Sequence, residues 1–289
     1  MRRPSEIDKD VAAMATLAEL TSVFEGIASM RIAQIKNQVQ QATQFFKELW
    51  DIYSQIRVDG FFRFGRSQSK DKVIDKDLFV IITAEGGFSG DIDQKLIQLM
   101  QQHYDKTKHD IVVIGHHGAI MLAQRGISFK KYFKLPTKDQ NINVGPIIRE
   151  VQQYNSTTVF YQEYISLMVQ DVRKIDLSTA VTNEGTTTTK KEGETKEYIS
   201  TENYIFEPSS YDVVDHLEAS MMRIALSQLI LDSKLAQYAS RFRAMSASHE
   251  RAEESHGELK LSYNRARRAI KDERLKEIVN GLRKAKVTV

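Results

Sequence analysis

Apolar and small residues recur in the last part of the chain at Leu235, Tyr238, Phe242, Met245, His249, Ala252, His256, Leu259, Tyr263, Ala266 and Ile270. The steps alternate three and four without a miss, the period of about 3.5 residues that marks a coiled-coil seam. Upstream, Leu217, Met221, Ile224 and Leu231 carry the apolar face back toward Asp212. A helix from Asp212 to Lys284 would be on the order of 110 Å long at about 1.5 Å per residue, too long for a compact domain of this size. The same pattern predicts a second rod near the start, through Ile32, Ile35, Val39, Ala42, Phe46, Leu49, Tyr53 and Ile56. Before it, Leu17, Leu20, Phe24 and Ala28 lead to Ile32 with consecutive steps of four, a stutter that would locally relax a supercoil. Two seamed helices at opposite ends of one chain can satisfy each other as an antiparallel pair, with Val39 facing a residue between Met245 and Leu259. The alternative is that each seam is one face of an ordinary bundle, but connections and further helices for a bundle are lacking.

Between the rods the period changes. Leu78 to Thr83 and Asp110 to Gly115 are short β-branched runs, with a helical pattern from Ile92 to Tyr104 between them. This reads as a βαβ unit on a parallel sheet. After Pro146 the pattern predicts a helix over Ile147 to Tyr154, a strand over Val159 to Ile165 and an alternating stretch through Val172 and Ile175. Asn183 to Glu197 is polar and rich in Thr, Lys and Glu, as in an exposed hairpin tip, and Tyr204 to Phe206 reads as a last strand. The fold class expected is therefore α/β: a long antiparallel coiled coil of N- and C-terminal helices carrying an inserted α/β, Rossmann-like globule. The domain boundaries expected are 5–60, 73–208 and 209–289. Proline placement agrees, since Pro4, Pro136, Pro146 and Pro208 leave both rods free of the strongest helix breaker.

Composition narrows the function classes. The chain has 289 residues, 41% hydrophobic and 27% charged, with no cysteine, which excludes disulfides, thiolate nucleophiles and Cys-ligated metals. Its net charge of +3 is too balanced for a nucleic-acid-binding polycation. No apolar signal region opens the chain and no unbroken run of about 18 apolar residues occurs, so neither secretion nor membrane spanning is expected. Charge is local instead. From Lys260 to Val289 there are ten basic residues against three acidic ones, which predicts an acidic partner surface or else a merely solvated basic face. Tyr263 is the only aromatic in that stretch, so protein is a better partner than nucleic acid.

Chemistry-bearing motifs are sparse. Glu85 to Gly90 (EGGFSG) follows a predicted strand and precedes a helix, but lacks both the GK[ST] ending and the G-x-G-x-x-G spacing of phosphate loops. A tight turn needing positive φ is the simpler reading. His116 and His117 are adjacent and have no obvious carboxylate companion in sequence, so no metal site is expected. His249 and His256 read as packed seam histidines, with pH-dependent helix packing as the sharper option. No nucleophile and base constellation is present.

The residues from Ala239 onward closely resemble the gamma subunit of rotary F-type ATP synthases. Ala239, Arg241, Ala244, Met245, Leu259, Tyr263, Asn264, Arg267, Ala269, Leu275, Glu277, Ile278, Val279 and Gly281 match the motif of its C-terminal helix. Weaker similarities follow in order through IASMRIAQIKN, EGGFSGDID, VVIGHHGAIMLAQRG and YIFEPS, so the resemblance covers residues 14 to 285. The chain departs from the family at Arg268, Lys271, Asp272 and Arg274, and has Phe88 and Ser89 where the family has Leu and Cys.

The resemblance implies a non-catalytic rotor shaft that couples nucleotide turnover in a surrounding ring to rotation. It implies alpha- and beta-type nucleotide-binding subunits in a hexameric ring as partners, and allows an epsilon-type subunit and a membrane sector or its replacement. No cofactor is expected on this chain, with ATP, ADP and Mg held in the partners. Expected ring contacts are Arg265, Arg267 and Arg268, and the expected tip held in a bearing is Leu275, Ile278, Val279 and Leu282. The expected seam includes Ile35, Val39, Phe46, Phe242, Met245, Leu259 and Tyr263. A cytoplasmic, peripheral place at the inner face of the cell membrane is expected. The departures suggest a divergent paralogue such as the gliding-associated ATPases of the mycoplasma group. A stand-alone coiled-coil adaptor, or a small-molecule enzyme using the α/β domain, are the alternatives.

Overall fold

In the computed structural model, which describes residues 3–55, 74–135, 142–181, 207 and 209–287, both terminal stretches are single helices. Helix α1 runs Pro4–Gln55 and the last helix, α5, runs Ser210–Val287. Proline is tolerated where α1 starts because a first-turn N–H has no intrahelical partner to lose. Ser209 caps α5: its Oγ accepts the Asp212 N–H at 3.1 Å and donates to the Asp212 carboxylate at 2.6 Å. Two compact units result, one of Met1–Ile27 with Phe242–Val289, the other of Ala28–Arg241.

The buried face of α1 runs from Ile7 through Val11, Met14, Ala18, Thr21, Glu25, Ala28, Ile32, Ile35, Val39, Ala42, Phe46 and Leu49 to Tyr53, all buried or half-buried. Its steps alternate four and three throughout, so the expected stutter is absent. Leu17, Leu20 and Phe24, chosen for their hydropathy, are instead 44%, 51% and 39% exposed. The seam there uses small residues, which let helices approach closely. Thr21 fits because its hydroxyl bonds back to the Leu17 and Ala18 carbonyls at 2.9 Å.

In the first unit, Ala18 O lies 2.9 Å from His249 Nδ1, which pairs α1 with the distal half of α5. Met245 and Ala252 are buried and His249, His256, Leu259, Tyr263 and Ala266 half-buried, as the seam predicts, whereas Ile270 is 40% exposed. Ile270 adjoins residues 271–283, which are all exposed, so no described residue covers this end of α5.

In the second unit the pairing is antiparallel. Tyr53 donates to Glu218 at 3.1 Å, Gln228 Nε2 donates to Thr43 Oγ1 at 3.2 Å, and Ile35 packs with Leu231 and Leu235. Val39 belongs to this last cluster, so its partners are about two turns or more before the segment expected from sequence. Burial first, then the Glu218 carboxylate, hold the Tyr53 phenol above its ordinary pKa.

The globule comprises β1 (Ile74–Ile82), α2 (Ile92–His103), β2 (His109–Ile114), α3 (His116–Gln124), β3 (Lys131–Phe133), α4 (Gly145–Val151), β4 (Tyr154–Tyr164) and β5 (Gln170–Asp176). The five-stranded sheet has the order β3-β2-β1-β4-β5, with β5 alone antiparallel. The predicted βαβ unit is β1-α2-β2; α3 and the short edge strand β3 had no signal of their own. Leu78, Val80 and Ile82 face α4 and α5, while Phe79 and Ile81 face α2 and α3. Burial on both faces explains why β1 reads as an apolar run rather than an alternation. Ile56, the Asn183 to Glu197 tip and the Tyr204 to Phe206 strand lie outside the described residues.

Candidate functional site

Ligands of doubly wound sheets bind outside the carboxyl ends of the strands, where the strand order reverses. Here that point is between β1 and β4, because the chain moves outward from β1 through β2 to β3 and then returns across the sheet to β4. Helix α5 fills it. The Gln162 side chain at the end of β4 accepts from Ser233 Oγ and, at 3.2 Å, from Gln237 Nε2. In the turn after β1, Ser240 Oγ donates to Ser89 O at 2.7 Å. The Arg241 guanidinium reaches Gly87 O at 3.1 Å, Gly86 O at 3.5 Å and Ser89 Oγ at 3.2 Å, and lies over the Tyr238 ring.

The turn is the positive-φ type expected, with Phe88 at 67° and Gly90 at 64°. It directs carbonyl oxygens into the crevice, where a phosphate cradle would direct N–H donors. This geometry suits a helix carrying donors. Beneath it lies Asp93, at 1% exposure, whose carboxylate accepts from Ala84 N at 3.3 Å and Gln162 Nε2 at 2.7 Å and lies 2.7 Å from His117 Nδ1. The hydrogen bond with Asp93 holds His117 above its ordinary pKa, against the opposing effect of burial. His117 therefore does have a carboxylate companion, in the first turn of α2 and 24 positions away, too far along the chain for local spacing to show. No trio of His, Asp or Glu among the described residues could hold a metal ion.

The remaining site residues expected from sequence are on the helices. Ile35 and Phe46 are buried at 0% and 1%, Met245 at 7%, and Val39, Phe242, Leu259 and Tyr263 are half-buried. Arg265, Arg267 and Arg268 are exposed, with no ion pair to any described residue. Leu275, Ile278, Val279 and Leu282 are 58%, 59%, 46% and 62% exposed. Sequence reasoning missed a second apolar stripe, on α1, where Leu17, Leu20, Val23, Phe24 and Ile27 are all exposed. Three of these, Leu17, Leu20 and Phe24, carried the signal but read as part of the seam. This stretch also makes α1 long and apolar enough, by length and composition, to cross a membrane, contrary to the expectation from unbroken runs. Glu25 lies half-buried in the seam of the same stretch.

A protein-family model described as ATP synthase matches residues 4–283. The chain belongs to this ATP synthase family, as a gamma chain. The ATP synthase gamma chain of Chlorobium phaeobacteroides is 26% identical, and that of Staphylococcus aureus 22%, each aligned over 96% of both chains. Among solved structures, a rotor chain of the Euglena gracilis mitochondrial ATP synthase shares the fold with a TM-score of 0.65 at 11% identity, covering 92% of this chain and 98% of that one. A central-stalk chain of the Tetrahymena thermophila enzyme gives 0.53 at 14% identity, covering 79% and 98%. A gamma chain is the non-catalytic central rotor stalk of an F-type ATP synthase, and the long terminal helices with an α/β insertion are its fold.

Proposed function

We propose that the unit built from Met1–Ile27 and Phe242–Val289 turns inside a hexameric ring of alpha- and beta-type nucleotide-binding subunits. The observation that carries this reading is the far end of α5, where Leu275, Ile278, Val279 and Leu282 are exposed and no described residue covers them. Apolar side chains projecting from an unpaired helix are stable when a partner encloses them. These four form the tip held in a bearing, and Arg265, Arg267 and Arg268 make charge contacts with the ring. The exposed α1 stripe from Leu17 to Ile27 adds to the enclosed surface. ATP, ADP and Mg remain with the ring, since α5 occupies the crevice where the globule would otherwise take a ligand. Nucleotide affinity in each ring subunit then changes with the face of the shaft it meets.

The foot engages an epsilon-type subunit and a proton-transporting membrane sector or its replacement, at the cytoplasmic face of the membrane. Arg268, Lys271, Asp272 and Arg274 depart from the family motif on exposed positions. They favour a divergent paralogue that runs as an ATP-driven motor, as in the gliding machinery of mycoplasma-type cells. The test is reconstitution: a partner ring should sustain ATP turnover with this chain and lose it when Leu275, Ile278, Val279 and Leu282 are all changed to Glu. Full turnover by that variant would refute the bearing.

A further inference from the structure

Helix α5 crosses the strand ends with a buried polar stripe, on positions that the coiled-coil seam at Leu235, Tyr238 and Phe242 would leave to solvent. Ser233, Gln237, Ser240 and Arg241 stand at i, i+4, i+7 and i+8, one face of the helix. The first three are buried at 0%, 5% and 1% exposure. Burying such groups is costly unless each is hydrogen-bonded, and each is, to a group fixed in the globule. Gln162 is itself immobilised by donating to Asp93, which also binds Ala84 N and His117. The network thus ties β4, α2, α3 and the end of β1 to a single setting of α5.

Apolar packing also holds α5 here, through Leu226 and Ile230 against the sheet. That attraction is non-directional and tolerates a helix turning about its axis or sliding along it. Hydrogen bonds weaken steeply away from their preferred geometry, so they fix both.

We propose that the crevice at the β1 and β4 ends takes α5 in place of a ligand and acts as the torsional lock between shaft and globule. Gln162 and Arg241 are its two positioning residues. The inference rests on the rotor reading above, because only a rotor must pass torque from helix to globule.

The chain has no cysteine, so labels attach only where one is introduced. Lys106 in the turn before β2 and Arg223 on α5 are both exposed and belong to the same unit. With Lys106→Cys and Arg223→Cys spin-labelled on the full chain, the lock predicts a narrow distance distribution. The triple change Gln162→Leu, Ser233→Ala and Gln237→Leu fills the space without directional bonds. Losing the Gln162 clamp should widen that distribution. Ser240→Ala, which removes one bond and almost no bulk, should widen it less and covers the case in which the triple variant does not fold. In the reconstituted complex, with a particle on Lys106→Cys, the same variants should show larger angular fluctuation and stall under drag while unloaded ATP turnover stays at the parent level. Unchanged label widths, or wider labels with unchanged rotation under load, would overturn the lock. If the parent chain is not turned by the ring at all, the rotor reading fails, and the spin-label widths still decide whether α5 is locked.

Discussion

A β-carbon on Gly118 would lie 2.4 Å from Thr83 Oγ1, and the same hydroxyl accepts the Gly118 N–H at 3.0 Å. Thr83 is buried and bonded to the Ile114 carbonyl at 3.0 Å, so it has no room to yield. Gly118→Ala should cost about 1–3 kcal/mol in urea unfolding, as overpacking does, and adding Thr83→Ala should recover part of the loss. Asp93 and His117 make a pH prediction. A folded-state pKa raised above the ordinary 6.5 means that protonation favours the folded state. The stabilisation is complete below 6.5 and is lost as pH rises through the raised value. His117→Gln should flatten the stability profile across that window; an unchanged slope would show that another group titrates. At this scale the sequence was least informative. The turn was legible at Gly90, where a glycine takes the positive φ it signals, but not at Phe88, and the Asp93, Gln162 and His117 network joins α2, β4 and α3 and has no local spacing to reveal it.

The helices were legible because burial in a seam imposes a period on the chain itself. Ile32 to Tyr53 and Leu235 to Ala266 all came out on the packed face. The exception is instructive: at Ala18 and Thr21 close approach selects small residues, and hydropathy alone pointed to the neighbouring stripe of Leu17, Leu20 and Phe24, rejoining the seam at Ala28. Register was not legible, since a repeating seam fits itself at several offsets. Cysteines introduced at Thr43 and Gln228, whose side chains meet at 3.2 Å, should oxidise to a cross-link within one chain. Phe46 paired with Leu235, which packs against Ile35 instead, should not, and the two are separable by mass spectrometry of the reduced and oxidised chain. Phe46, at 1% exposure in a cluster with Val181, Met221 and Ala225, carries much of the packing between the helices of this unit. Phe46→Ala should destabilise by about 3–5 kcal/mol. In the globule, β1-α2-β2 was legible from two apolar runs flanking a helical period. The three-residue β3 and the nine-residue α3 are too short to show one.

For the whole molecule, the family makes the gamma chain a non-catalytic subunit, and the proposed function makes its action depend on a ring around it. Arg267 and Arg268 are exposed, and such charges contribute about 0–1 kcal/mol each unless a partner desolvates them. Replacing both with Glu should leave helix content nearly unchanged, because Arg and Glu have similar helix propensities. It should lower the turnover of the reconstituted ring, more than replacement with Ala does and most at low salt. Equal turnover for all variants at every ionic strength would make the cluster a solvated face. The most direct measurement is native mass spectrometry of the complex purified through this chain. The expected result is one copy of the chain bound to a ring of nucleotide-binding subunits that carry all of the ATP and ADP. A chain recovered alone or as a homodimer, with nucleotide bound to it, would contradict the rotor account.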